Sequence, residues 1–319
     1  LAGASYLLVE RPVRRWGSRT RPVAASGTAL AGVSAALALV VLAPTADAAV
    51  RAADEPVFPR GARDGIAAVG PVPTDGAGQD ARPRHRAVRH QHPVPGREPV
   101  VDVFGDSIAW TLVTYLPEHP GLDIRDRTML GCGVARTGPY RYFGQLYPGV
   151  SRECRAWPDL WRHAIEVDDP DVVLIVVGRW ETMDRQLDGR WSHVGEPEFD
   201  AYLRSQLELA IRTAGAHGAR VLLATEPYNR RGEQLDGSLW PEDEPERVTA
   251  WNALLRDVAT HHHRVRVVDF GERLTPDGEF TWTAGGRQVR SDGVHLTPSG
   301  VQGWVAPWLL PQLRAAARG

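Results

Sequence analysis

Apolar and polar positions divide the chain into three stretches of different texture. Val23 to Leu42 is an unbroken uncharged run, about the ~20 residues that an α-helix needs to cross a hydrocarbon core. From Ala49 to Pro99 no apolar period is sustained, and Pro, Gly, Ala and Arg dominate. At Val100 the pattern changes again. Val100–Phe104, Asp171–Val177, Arg220–Thr225 and Val265–Phe270 are short, nearly continuous apolar runs rich in β-branched residues. Such runs predict strands of a parallel sheet covered on both faces. Between them lie helical periods. Ile108–Leu116 is one. Phe199, Tyr202, Leu203, Leu207, Ala210, Ile211 and Ala214 share the face of a second, and Val248, Trp251, Leu254, Leu255 and Val258 that of a third. A last helix starts at Thr297 as N-cap with Pro298 in the first position. The alternation predicts a doubly wound α/β domain with a mostly parallel sheet.

The ends of the uncharged run orient it. Arg11, Arg14, Arg15, Arg19 and Arg21 precede it, and Asp47, Asp54 and Glu55 follow. Positive charge stays on the cytoplasmic side, so everything past Ala46 is expected outside. A cleavable secretory signal ending near Ala46-Asp47-Ala48 places the domain in the same compartment. A buried Ala-rich core helix is the remaining alternative. The organisation expected is therefore a cytoplasmic Arg-rich segment over 1–21 and a transmembrane helix over 22–46. A disordered linker over 47–98 and the α/β domain over 99–319 follow. The basic run from Arg82 to His92 in the linker reads as a solvated charge run, with contact to anionic wall polymer or lipid as the alternative.

Charge and cysteine content exclude more than they assign. A net charge of -2 gives no attraction to nucleic acid, and all 37 basic residues are Arg. Two cysteines, Cys132 and Cys154, are too few for an ordinary structural zinc site. Outside the cytoplasm they read as a disulfide, with two buried thiols as the alternative. His261-His262-His263 ends a helix and reads as a polar terminus rather than a metal site. No phosphate loop or cofactor fingerprint occurs, so neither cofactor nor metal is expected. Trp157, Trp161, Trp180, Trp191 and Trp240 read as core first and as sugar-stacking platforms second.

Candidate chemistry sits at two turns. Gly105-Asp106-Ser107 directly follows the first strand, where ligands bind in open parallel sheets. Alone the tripeptide can equally be a helix cap. Asp292-Gly293-Val294-His295 precedes the last helix and can supply a base and the carboxylate that orients it. Alone it can be a capped loop with a surface His. Together the two motifs resemble the SGNH (GDSL-like) hydrolase superfamily, with its flavodoxin-like three-layer fold, over Val100 to the end of the chain. The resemblance implies Ser107 as nucleophile, His295 as general base and Asp292 as its partner. It implies oxyanion donors from the Ser107 backbone, from Gly131 or Gly133 after the second strand, and from an Asn after the third. Here Gly178-Arg179-Trp180-Glu181 departs, with Glu181 in place of Asn. An ionised Glu has no proton to donate. Either Arg179 or Trp180 supplies a donor, or Glu181 is protonated, or the hole has only two backbone donors.

The N-terminal Ser5–Arg15 segment resembles the end of the last core helix of the membrane acyltransferase-3 family, members of which carry a fused C-terminal SGNH domain. That resemblance implies a membrane part delivering an acyl donor and an extracytoplasmic domain passing the acyl group to a cell-surface glycan. O-Acetyl transfer is the activity expected. A deacylating esterase and a catalytically impaired glycan-binding module are the alternatives.

Overall fold

The computed structural model describes residues 97–318. The expected segments 1–21 and 22–46, and all of 47–98 except residues 97 and 98, lie outside the described residues. Among the described residues, no helix is long and apolar enough to cross a membrane.

The strands in chain order are β1 (Val100–Gly105), β2 (Asp123–Asp126), β3 (Tyr140–Tyr142), β4 (Gln145–Tyr147), β5 (Val172–Val176), β6 (Arg185–Leu187), β7 (Arg190–Ser192), β8 (Arg220–Ala224), β9 (Val265–Val268) and a two-residue antiparallel pair, β10 (Thr283–Ala284) and β11 (Arg287–Gln288). The main helices are α1 (Ser107–Thr114), α2 (Trp157–Asp168), α3 (Pro197–Ala214), α4 (Pro245–Thr260) and α5 (Ala306–Arg318). A five-stranded sheet in the order β2-β1-β5-β8-β9 forms the centre, and every pairing in it is parallel.

The continuous apolar runs have a direct cause. Successive side chains of a strand point to opposite faces, and here both faces are covered. Val173 and Ile175 pack on one side with Trp157, Trp161, Phe199, Leu207 and Trp251 of α2, α3 and α4. Val172, Leu174 and Val176 pack on the other with Ile108 and Leu112 of α1 and Leu309 and Leu313 of α5. All five residues of β5 are buried, so no position was free to be polar. Burying a Val, Leu or Ile side chain contributes about 1.5–3 kcal/mol, and the two layers account for most of the domain's apolar burial.

A second sheet was not anticipated. β4-β3-β6-β7 is antiparallel and is built from the connections that follow β2 and β5. Its aromatic side chains hold it together. Tyr140 and Tyr147 stack at 4.9 Å, and the Arg141 guanidinium lies 4.0 Å from the centre of the Trp191 ring. The five tryptophans therefore divide. Trp157 and Trp161 are core, whereas Trp180, Trp191 and Trp240 line the second sheet and its neighbouring loops.

Candidate active site

Ser107 is the first residue of α1 and follows the carboxyl end of β1 with only Asp106 between. Asp106 is the N-cap, its carboxylate accepting the Ile108 N–H at 2.8 Å. This fixes the turn that presents Ser107. Asp106 is itself buried, and burial pushes its carboxyl up to about 7 against the pull of the Ile108 bond.

The loop before the last helical segment brings the partners to it. Ser291 N–H donates to His295 O at 2.9 Å, closing a tight turn. Inside the turn, Asp292 Oδ1 accepts the N–H groups of Val294 and His295 at 3.0 and 2.8 Å. The loop is tied to α1 by Leu296 N–H donating to Thr111 Oγ1. The result is a row of two short contacts: His295 Nδ1 to Asp292 Oδ2 at 2.7 Å, and His295 Nε2 to Ser107 Oγ at 2.7 Å. The tautomer that satisfies both has its proton on Nδ1, leaving Nε2 to accept from the Ser107 hydroxyl. Asp292 and His295 are buried. Burial alone would raise the Asp292 carboxyl, but the His295 bond and charge and the nearby Arg231 hold it well below the usual carboxylate range.

The loop after β2 carries Gly131 and Gly133. Met129 N–H donates to Gly105 O at 2.7 Å, strapping this loop against the turn that bears Ser107. A Cys132–Cys154 disulfide, with Cα atoms 5.1 Å apart, pins it from the other side. Beside the disulfide, a cavity of about 240 Å³ is lined by Gly131, Gly133, Tyr140, Val150, Trp180 and Arg185 among others.

The residues of the Gly-Arg-Trp-Glu stretch have separate employments. Glu181 is fully buried, and its Oε1 accepts the N–H groups of Val134 and Ala135 at 2.7 and 3.1 Å. Burial pushes its carboxyl up. A Cβ on residue 133 would fall 2.1 Å from that same oxygen, so the loop tolerates only Gly there. Glu181 thus organises the Gly131–Ala135 loop as an acceptor. Arg179 is equally buried and pairs with Asp243 at 2.5 Å and with Glu242 O at 2.8 Å. Of its polar atoms, Nε and Nη2 have no hydrogen-bond partner among the described residues, and the same holds for Trp180 Nε1. Two polar roles near the site escaped the sequence reading, in which Arg231 does not figure and Tyr202 figures only on the apolar face of its helix. Arg231 donates to Asp292 Oδ2 at 2.6 Å, and the Tyr202 hydroxyl accepts the N–H groups of Arg136 and Thr137. Nothing in their local sequence marks either. Among the described residues no group of three metal-ligating side chains comes together.

A family model described as an SGNH domain fused to AT3 domains matches residues 74–308. No curated protein matches the chain. Among solved structures, the M. smegmatis aryl esterase is 13% identical and covers 68% of this chain and 99% of its own, with a TM-score of 0.44. A GDSL-like lipase from Bacteroides thetaiotaomicron is 16% identical over 71% and 91%, with a TM-score of 0.44. A carbohydrate acetylesterase family member from Sinorhizobium meliloti is 15% identical over 69% and 99%, also at 0.44.

Proposed function

The chain belongs to the family of SGNH domains fused to AT3 domains, and we propose that it transfers an acyl group, acetyl in the first instance, to a hydroxyl of a cell-surface glycan. The observation that carries this reading is the row Ser107–His295–Asp292, with both contacts at 2.7 Å. Ser107 Oγ attacks the donor's carbonyl carbon while its proton passes to His295 Nε2. Asp292 holds the Nδ1–H and stabilises the imidazolium. Collapse breaks the bond to the donor's leaving group, which takes the proton from Nε2, and an acyl-serine remains. An acceptor hydroxyl then gives its proton to Nε2 and attacks the acyl-serine, forming the new ester, and Nε2 passes that proton to Ser107 Oγ as the acyl–serine bond breaks. The developing oxyanion is met by the backbone N–H groups of Ser107 and of Gly131 or Gly133. Glu181 keeps the glycine loop in place, and a hole of two backbone donors follows. With water as acceptor the same residues make an esterase.

The AT3 part of the family description supports transfer over hydrolysis, since a membrane acyltransferase domain would deliver the donor. In this reading residues 22–46 cross the membrane, residues 47–98 form the linker, and the α/β domain works outside the cytoplasm. The test offers p-nitrophenyl acetate to the full chain with and without a glycan oligomer, beside Ser107→Ala. Acetyl gained by the glycan, detected by mass and absent with the variant, supports transfer. Release of p-nitrophenol with no mass gained moves the reading to an esterase. If a fluorophosphonate fails to label Ser107, the site is not a working nucleophile and a glycan-binding module takes its place.

A further inference from the structure

Orienting His295 is the task given to Asp292 above, yet its carboxylate has a second cationic partner. The oxygen that accepts His295 Nδ1–H, Oδ2, also accepts from Arg231 Nη1 at 2.6 Å. Arg231 comes from the connection between β8 and α4, and its side chain keeps 22% of its surface exposed. Several contacts hold it there. Its own backbone N–H donates to Asp243 Oδ2 at 3.1 Å, and Asp243 Oδ1 pairs with Arg179 at 2.5 Å. Arg230 N–H donates to Gly293 O at 3.1 Å. Gly293 has φ +86°, and a Cβ there would fall 2.0 Å from Arg230 O, so the connection is seated directly on the Asp292–His295 turn.

We propose that Arg231 is a positioning residue that lowers the proton affinity of the Asp292–His295 pair, and that Arg179, through Asp243, holds it in place. The inference rests on the catalytic reading of Ser107, His295 and Asp292. Its physical basis is Coulombic. A carboxylate bonded only to an imidazole favours the imidazolium strongly, and a guanidinium on the same oxygen opposes that second positive charge. A neutral imidazole is the form whose Nε2 can take the Ser107 proton. The Gly-Arg-Trp-Glu stretch thereby gains a second purpose beside that of Glu181, with Arg179 acting on the triad at one remove.

Other charged groups face the pair and stay constant in the comparison. Arg290, fully buried, approaches Asp292 from the strand-like segment before the turn, with Glu226 beyond it, and Asp106 adjoins Ser107 on α1.

The experiment is an NMR titration of the His295 imidazole in the full chain, its resonances assigned with His295→Asn. Wild type is compared with Arg231→Met, Arg231→Lys and Arg179→Met. For Arg231→Met the midpoint rises by about one pH unit, the effect of removing one charge a few ångströms away at an intermediate dielectric. Arg231→Lys keeps the charge, and its midpoint stays nearer wild type than that of Arg231→Met. Arg179→Met moves the midpoint the same way by less. Coincident titration of wild type and Arg231→Met overturns the proposal. So does a midpoint in Arg231→Lys above that of Arg231→Met; if Arg231→Met does not fold, coincident titration of wild type and Arg179→Met overturns it instead. Fluorophosphonate labelling of Ser107 is followed in the same samples. A shift without labelling sinks the acyl-transfer reading and leaves standing only the effect of Arg231 on the pair's proton affinity.

Discussion

Replacing Glu181 by Ala removes the acceptor of two buried N–H groups at once. Both bonds, from Val134 and Ala135, end on one oxygen of a fully buried carboxylate. Leaving a buried donor unsatisfied costs about 1–3 kcal/mol, so two cost about 2–6 kcal/mol, less whatever water entering the vacated volume restores. For a domain of this size about 1 kcal/mol moves the melting temperature by about 2–4 °C. Glu181→Ala is therefore expected to melt about 6–12 °C lower, taking ~3 kcal/mol as the net loss. The loop that loses its anchor also carries Gly131 and Gly133, so acyl release should fall by about 10²-fold, the cost of one misplaced oxyanion donor. Glu181→Gln separates acceptor from charge. Its amide oxygen can still receive both N–H groups, while the cost of burying a carboxylate disappears. The sign follows from burial raising the Glu181 carboxyl. A group raised in the folded state contributes stability that is complete below its unfolded value of 4.5 and is lost as pH rises through the folded one. Circular-dichroism melts from about pH 5 to about pH 9 should thus show Glu181→Gln gaining on wild type as pH rises. Melts of Glu181→Ala within about 1 °C of wild type across that range would refute the reasoning, because the two donors would then have other partners.

Three further outcomes follow from the same contacts. Asp292→Asn should preserve the fold but lower acyl release by about 10⁴-fold, since the Asn amide favours the wrong His295 tautomer; a loss under tenfold, measured with p-nitrophenyl acetate, would show that Asp292 does not orient the base. Replacing both Cys132 and Cys154 by Ser opens a loop closed across 22 residues and should cost about 3 kcal/mol, read as a lower denaturant midpoint that reductant no longer shifts. An unchanged midpoint would place the cross-link's constraint elsewhere. Asp102 sits in β1 with both carboxylate oxygens buried and unbonded among the described residues, and burial, then the charge of Asp168, holds it well above its ordinary 3.8. Its stabilising contribution is present below that value and fades as pH rises, so Asp102→Asn should become the more stable protein toward neutral pH. A constant difference between the two proteins at every pH would contradict the assignment.

Legibility in the sequence tracks how far apart the interacting residues lie. β1, β5 and β8 are readable because burial on both faces leaves them apolar apart from Asp102 and Arg220, and that signal needs no knowledge of partners. β3, β4, β6 and β7 are three residues each, too short for a period to register. Their pairing rests on contacts such as Arg141 with Trp191 that no local pattern announces. The site divides in the same way. Asp292 and His295 are three residues apart, and a tight turn suffices to join them, so spacing alone raises the possibility. Ser107 meets His295 across 188 residues, and only the order of two motifs around a parallel sheet connects them. Glu181 is legible as a departure but not in its employment, because the N–H groups it accepts belong to a loop 46 and 47 residues earlier. Arg231 lies 61 residues before Asp292 in a polar connection where an arginine is unremarkable. Its meaning arises only when Asp243 and the Gly293 turn fold the connection onto the triad carboxylate. The parts of the machinery that set a proton's affinity are thus the least visible in sequence. They act through charge at a distance, and charge carries no periodicity along a chain.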